Sequence, residues 1–240
     1  MSNRFENQVI MVTGASGNVG RSMVQHFHNE GGKIVLVEHR QERLDEITEA
    51  LDLDPATCQG FTADVTDAES VNQLVMQAVE HFGKIDILVH TVGGYAAGQP
   101  VHEAGVDVWD RMMALNAKSV YIVAGRVAKY MVERGTGGKI ITILARNAEQ
   151  GTANAGAYSA SKAAAQRIIE SMAAELRTIG INVNAIMPSN IDTPQNRAAM
   201  PDADYETWVT AEDIAHTAMF LASQQANAIN GASVPVYGCT

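Results

Sequence analysis

The chain alternates short runs of β-branched and aliphatic residues with longer stretches in which apolar residues recur at helical spacing. The runs predict strands at 8–13 (QVIMVT), 33–38 (KIVLVE), 58–63 (CQGFTA), 85–91 (IDILVHT), 139–144 (KIITIL), 181–187 (INVNAIM) and 232–237 (ASVPVY). The intervening stretches predict helices near 19–30, 41–51, 67–82, 105–133, 152–178 and 210–223. Several strands are unbroken apolar runs, which suits strands covered on both faces of a parallel sheet. Strand–helix alternation of this kind predicts a doubly wound α/β sheet with right-handed crossovers. No internal repeat, low-complexity tract or Pro/Ser-rich linker interrupts it, so residues 1–240 read as a single domain of about seven parallel strands with helices on both faces.

Composition narrows the partners. Of 240 residues, 46% are apolar and 18% charged, as in a globular chain. The net charge of −10 makes a nucleic-acid backbone or an anionic membrane a poor partner, and no basic run offsets it. The opening MSNRFENQVI has no apolar signal core, and no apolar stretch reaches membrane-spanning length. The two cysteines, Cys58 and Cys239, form no CxxC and read as free thiols of a reducing cytoplasm. The seven histidines do not cluster along the chain. His26 and His28 stand two apart and point to different helix faces, so no metal site is expected.

The first candidate chemistry lies where the first predicted strand meets the first predicted helix. TGASGNVG (13–20) places glycines at Gly14, Gly17 and Gly20. Small residues let the backbone approach a pyrophosphate, and the helix that follows offers free N–H groups and a partial positive charge. Gly20 allows close packing of that helix on the strand. Glu38, eighteen residues after Gly20, ends the second predicted strand. A carboxylate there accepts hydrogen bonds from ribose hydroxyls and repels a 2′-phosphate. NAD(H) is therefore expected over NADP(H), although His39 and Arg40 leave NADP(H) open.

The GxxGxxG turn, Asp64 in TADVTD, Asn116 in MMALNAKSV and Tyr158-x-x-x-Lys162 occur in one order across essentially the whole chain. Together they resemble the short-chain dehydrogenase/reductase family, which implies a Rossmann-type fold and a nicotinamide cofactor. The resemblance assigns the phosphate turn to Gly14, Ser16, Gly17, Asn18, Val19 and Gly20, and the adenosine side to Glu38, Asp64 and Val65. It assigns the nicotinamide side to Gly93, Tyr158, Lys162, Pro188, Ile191 and Thr193. Tyr158 and Lys162 are four apart and share a helix face. A tyrosine titrating near about 10 is a poor acid–base group at neutral pH, and a nearby ammonium is expected to lower that value. Lys162 is also expected to hold the nicotinamide ribose, and Asn116 to position a water that relays protons. The family's pairing through the helices at 105–133 and 152–178 implies a homodimer or homotetramer.

Thirteen residues before Tyr158, where the family usually carries a serine, stands Ala145. Losing a donor aimed at developing charge costs roughly a hundredfold to a thousandfold in rate. Ala145, the loop TVGGYAAGQP (91–100) and the segment IDTPQNRAAMPDADYETW (191–208) resemble the quinonoid dihydropteridine reductase branch of the family. That likeness implies a flat substrate against Gly94, Tyr95, Ala145 and Trp208, whose reduction needs no serine. Arg146 is the candidate replacement donor. NAIMPSNIDTP and FLASQQANAINGASVPVYG instead resemble 3-oxoacyl or sugar-alcohol reductases, and Ser189 replaces the glycine usual after the proline. The expected function is hydride transfer between NAD(H) and a small carbonyl/alcohol or quinonoid substrate. Its alternatives are an NADP(H)-dependent reductase of the 3-oxoacyl or sugar-alcohol kind and a non-catalytic NAD(H)-binding sensor.

Overall fold

Val9–Thr13 (β1) is buried along its whole length, as a strand covered on both faces must be. The computed structural model describes residues 3–239; residues 1, 2 and 240, at the ends of the expected 1–240 domain, lie outside the described residues. The other strands are Lys33–Glu38 (β2), Cys58–Thr62 (β3), Ile87–His90 (β4), Gly138–Ile143 (β5), Ile181–Pro188 (β6) and Ser233–Val236 (β7). Among the described residues they form one sheet in the order β3-β2-β1-β4-β5-β6-β7, with every pairing parallel. The expected α/β sheet is the observed one. Its strand order reverses between β1 and β4, where Ile10 pairs with Ile87, and such a reversal opens a crevice beyond the strands' carboxyl ends.

The helices are Asn18–Asn29 (α1), Gln41–Ala50 (α2), Ala68–Phe82 (α3), Val106–Met113 (α4), Ser119–Arg134 (α5), Gly156–Leu176 (α6), Pro194–Ala199 (α7) and Ala211–Ala222 (α8). Local chemistry sets several boundaries. Asp67 caps α3 by accepting from the Ser70 N–H at 2.7 Å, and Gly83 ends it at φ +77°. A capping box between Thr210 and Asp213 starts α8.

Adjacent residues on a strand face opposite ways, and the core divides accordingly. Met11, Leu88 and Ile140 pack under Val123, Val127 and Ile169 of α5 and α6. Ile10, Val12, Ile87 and Ile141 pack under Phe27 of α1 and Ile214 of α8. Each such side chain contributes about 1.5–3 kcal/mol by leaving water.

Two expectations are corrected, and one helix is added. The helix expected at 105–133 is broken by a π-helical segment, Ala114–Lys118, between α4 and α5. The helix expected at 152–178 starts only at Gly156, after Asn154 takes a left-handed turn at φ +62°. Helix α7 lies inside the segment 191–208, where Thr193 caps it and Pro194 occupies its first turn.

Candidate active site

A cleft of about 800 Å³ runs along the carboxyl ends of the strands beside the reversal point. Its floor is the turn after β1. Gly14 adopts φ +68°, and a Cβ there would lie 2.9 Å from Thr91 Oγ1. A Cβ on Gly20 would run into the Gly14 carbonyl, so glycine at that position lets α1 close on the turn. Gly17 begins α1 with no side chain capping it, which leaves the helix's first N–H groups for an anion. Glu38 Oε1 accepts from the Ser16 N–H at 2.6 Å and holds a carboxylate at the end of β2 beside this turn. Asp64 Oδ1 accepts from the Thr66 N–H and hydroxyl at 2.8 and 2.7 Å, which holds its carboxyl below the usual range.

The cleft brings together Gly14, Ser16, Gly17, Asn18, Val19, Gly20, Glu38, Asp64, Val65, Gly93 and Thr193, all singled out in the sequence. It is also lined by Val37, His39, Arg43, Ala63, Thr66, Thr91, Val92, Leu115 and Gln195, which sequence reasoning did not assign to the site. Their neighbours in the chain carried the available signal, since most flank an assigned residue at a strand end. Gln195 had no such signal. Its Oε1 accepts from Asn18 Nδ2 at 3.0 Å and ties α7 to the start of α1. Tyr158, Lys162, Pro188 and Ile191 do not line this cleft. Pro188 is buried at the end of β6, and Ile191 bridges to Val209.

Gly93 connects the cleft to the acid–base group. A Cβ on it would stand 2.9 Å from Asn116 Oδ1 and 3.2 Å from Lys162 Nζ. Asn116 is buried in the π segment and grips the neighbouring residue twice. Its Oδ1 accepts from the Gly94 N–H at 2.9 Å, and its Nδ2 donates to the Gly94 carbonyl at 3.0 Å. Nδ2 also donates to Ser161 Oγ at 3.0 Å, and Ser161 donates to the Tyr158 carbonyl at 2.7 Å. Asn116 therefore wires the 93–94 turn to the helix carrying Tyr158. Its amide hydrogens are engaged by protein acceptors, so the side chain positions the loop, a role the expected water relay did not include.

Lys162 Nζ donates to the Ile143 carbonyl at 3.1 Å in a buried setting that pushes its pKa down to about 8. The expected lowering of Tyr158 is corrected. Burial first, and the nearby Tyr95 second, push the phenol up to about 12. A buried phenolate loses more hydration than this protein environment returns. Tyr95 is exposed and stands edge-on to Tyr158, with ring centroids 4.8 Å apart.

Ala145 is buried in extended backbone just beyond β5 and offers only a methyl group. Arg146 does not replace the absent donor, because its guanidinium lies over the Tyr237 ring at 5.0 Å. Trp208 is 6% exposed and packs edge-on against Tyr205, so it has no open face for a substrate. The expected substrate contacts of these two residues are therefore not supported by their placement. The histidines also depart from expectation, since His26 and His216 meet with ring centroids 5.0 Å apart.

Comparison with known proteins gives this arrangement a family. The short chain dehydrogenase profile matches residues 8–204. D-threitol dehydrogenase of Mycolicibacterium smegmatis is 30% identical over 244 residues, covering 98% of this chain and 93% of that protein. Levodione reductase superposes with a TM-score of 0.90 at 27% identity, over 98% of each chain. A short-chain type dehydrogenase/reductase from Mycobacterium ulcerans superposes at 0.92 with 25% identity, over 100% of this chain and 90% of that one. Among the described residues no helix is long and apolar enough to cross a membrane. With the glycine turn, the reversed strand order and the YxxxK helix in one molecule, the chain belongs to the short chain dehydrogenase family and is an NAD(P)-dependent oxidoreductase.

Proposed function

We propose that the chain is an NAD(H)-dependent reductase in which Tyr158 delivers the proton to a substrate whose developing charge needs no serine donor. The observation that carries this reading is the buried methyl of Ala145 beside an otherwise complete set of Tyr158, Lys162 and Asn116. Bound nicotinamide dinucleotide supplies the hydride. The close-packed glycine turn and the uncapped start of α1 fit its pyrophosphate, and Gly14 to Gly20 would hold it. Glu38 would hold the adenosine ribose, and Asp64 and Val65 the adenine. Glu38 also supports NAD(H) over NADP(H), because a 2′-phosphate would meet its carboxylate. Arg43 lines the same cleft, but it pairs with Glu46 at 3.0 Å.

The chain's own residues then account for the proton. A phenol held neutral by burial is a proton donor, which suits reduction of the substrate. Lys162 places a cation behind the Gly93 turn, and Asn116 keeps that turn in place. A quinonoid ring fits the lack of a hydroxyl donor at Ala145, with Tyr95 as the exposed aromatic neighbour of Tyr158. The second reading, a carbonyl/alcohol pair, is favoured by the names of relatives such as D-threitol dehydrogenase and levodione reductase. Exposed Tyr121 and Val132 on α5 support pairing of subunits through that helix.

The test is NADH oxidation with a quinonoid dihydropterin generated in the assay and with a panel of ketones, NADPH being run in parallel. We expect NADH to be preferred, and Tyr158→Phe to lower turnover by roughly a hundredfold to ten-thousandfold. Undiminished turnover in Tyr158→Phe would remove the proton role. NADH binding without turnover of either panel would make the chain a dinucleotide-binding protein without this chemistry.

A further inference from the structure

His26 is far from Glu212 and His216 in the chain but meets them where α1 packs against α8. Glu212 and His216 are one helical turn apart on α8 and share a face, and His26 reaches them from the facing side of α1. Their ligand-capable atoms all lie within 4.8 Å of one another. Glu212 Oε1 stands 3.7 Å from His26 Nε2 and 3.9 Å from His216 Nε2. Both separations exceed a hydrogen bond, so the carboxylate does not close directly on either ring.

The tautomer of His26 adds a second observation. Its Nδ1 lies 2.8 Å from the Ser22 carbonyl oxygen, which can only accept, so Nδ1 carries the hydrogen. In the neutral ring the lone pair is then on Nε2, the atom that faces Glu212. A backbone carbonyl fixing one ring nitrogen so that the other can ligate is the usual support of a metal-bound histidine.

We propose that His26, Glu212 and His216 bind one transition-metal cation of the zinc class. Two imidazole nitrogens and one carboxylate oxygen suit zinc, copper or nickel, whereas magnesium and calcium prefer all-oxygen shells. Tetrahedral ligands at about 2.0–2.2 Å from zinc stand a little over 3 Å apart, so closure requires small rotations of side chains. Glu212 and His216 are 65% and 57% exposed and free to make them, while the 22% exposed His26 is the fixed point. Three protein ligands leave a fourth position for water. Asn18 and His26 are eight residues apart on α1, about 12 Å along its axis. The cation would therefore clamp α1 to α8 away from the hydride-transfer site, as a structural ligand.

The experiment is a zinc chloride titration of the full chain, stripped with chelator, followed by calorimetry and by thermal unfolding. We expect one equivalent to bind and the unfolding temperature to rise. Both exposed variants, His216→Ala and Glu212→Gln, should weaken binding at least about tenfold and abolish the rise, with NADH affinity unchanged. Copper(II) bound to the native chain should show two nitrogen couplings in its electron paramagnetic resonance spectrum, and one in His216→Ala. Unaltered zinc affinity in both variants would place the ion elsewhere and overturn the proposal. So would the absence of binding heat and of any thermal shift, or an equal response to magnesium.

Discussion

Tyr158 and Lys162 are pushed toward their neutral forms by burial, one up to about 12 and the other down to about 8. Burial outweighs the mutual help that their spacing in the sequence leads one to expect. Lys162 can be disturbed from Gly93, because a methyl group there would press on both Asn116 Oδ1 and Lys162 Nζ. Gly93→Ala is expected to lower kcat at least about tenfold while costing about 1–3 kcal/mol of stability, the usual range for overpacking. Steady-state kinetics beside urea denaturation would check it, and a full rate would show that neither group is held by this contact. The glycine turn and YxxxK were legible because their meaning lies in spacing along one loop or one helix. The engagement of Arg146 with Tyr237 was not, since those residues are separated by α6, β6, α7, α8 and β7. Trp208 read as a stacking ring for a different reason: Tyr205 is only three residues away, but spacing alone does not show that its ring turns edge-on against the indole.

At the scale of elements, the π segment decides where Asn116 points. A regular helix from Val106 to Arg134 would carry one hydrogen-bond register throughout; the wider turn at Ala114–Lys118 interrupts it between α4 and α5. Within that turn Asn116 faces the Gly94 backbone, and Ser119 donates to the Leu115 carbonyl at 2.6 Å. Asn116→Ala would strip the half-buried Gly94 N–H and carbonyl of their partner, a loss of about 0.5–1.5 kcal/mol per hydrogen bond. Exchange of the Gly94 amide hydrogen should quicken roughly tenfold or more, as nuclear magnetic resonance can read, while amides of β1 stay protected. Equal quickening in β1 would mean general loosening. Hydrophobic periodicity located the helix but could not show its irregular turn, because one wide turn barely disturbs the apolar stripe on either side. The short helix α7 was missed for a different reason. Six residues carry no periodicity, and the Thr193-Pro194 start was its only sign.

At the scale of the molecule, all seven expected strands are in the sheet, two of them (85–91 and 232–237) shortened to four residues. The inner strands were the most legible, because strands buried on both faces are continuously apolar. His90 shows what such burial does to a polar group. It lies wholly inside, with Nδ1 2.8 Å from Thr13 Oγ1 and Nε2 3.2 Å from Ser119 Oγ. Burial first and the Lys162 charge second push its pKa from 6.5 down to about 3. The unfolded chain takes up this proton near 6.5 and the folded chain does not, so the folded state is progressively disfavoured as pH falls from 6.5 toward 3. Above that window the contribution is fully present. Urea denaturation across it should show stability falling with pH, and His90→Gln should flatten the slope while lowering stability at neutral pH. An unchanged slope would assign acid sensitivity to other groups. The same strand order has a consequence for folding. Among the described residues, every strand pairing but one joins strands consecutive in the chain; the exception joins β1 to β4 and sets Ile10 beside Ile87. The dinucleotide cleft lies along that seam, so the entropy of closing this long loop must be met before the cleft is whole. Neither a β1–β3 fragment nor a β4–β7 fragment contains the site, and in the growing chain binding competence cannot precede the docking of β4.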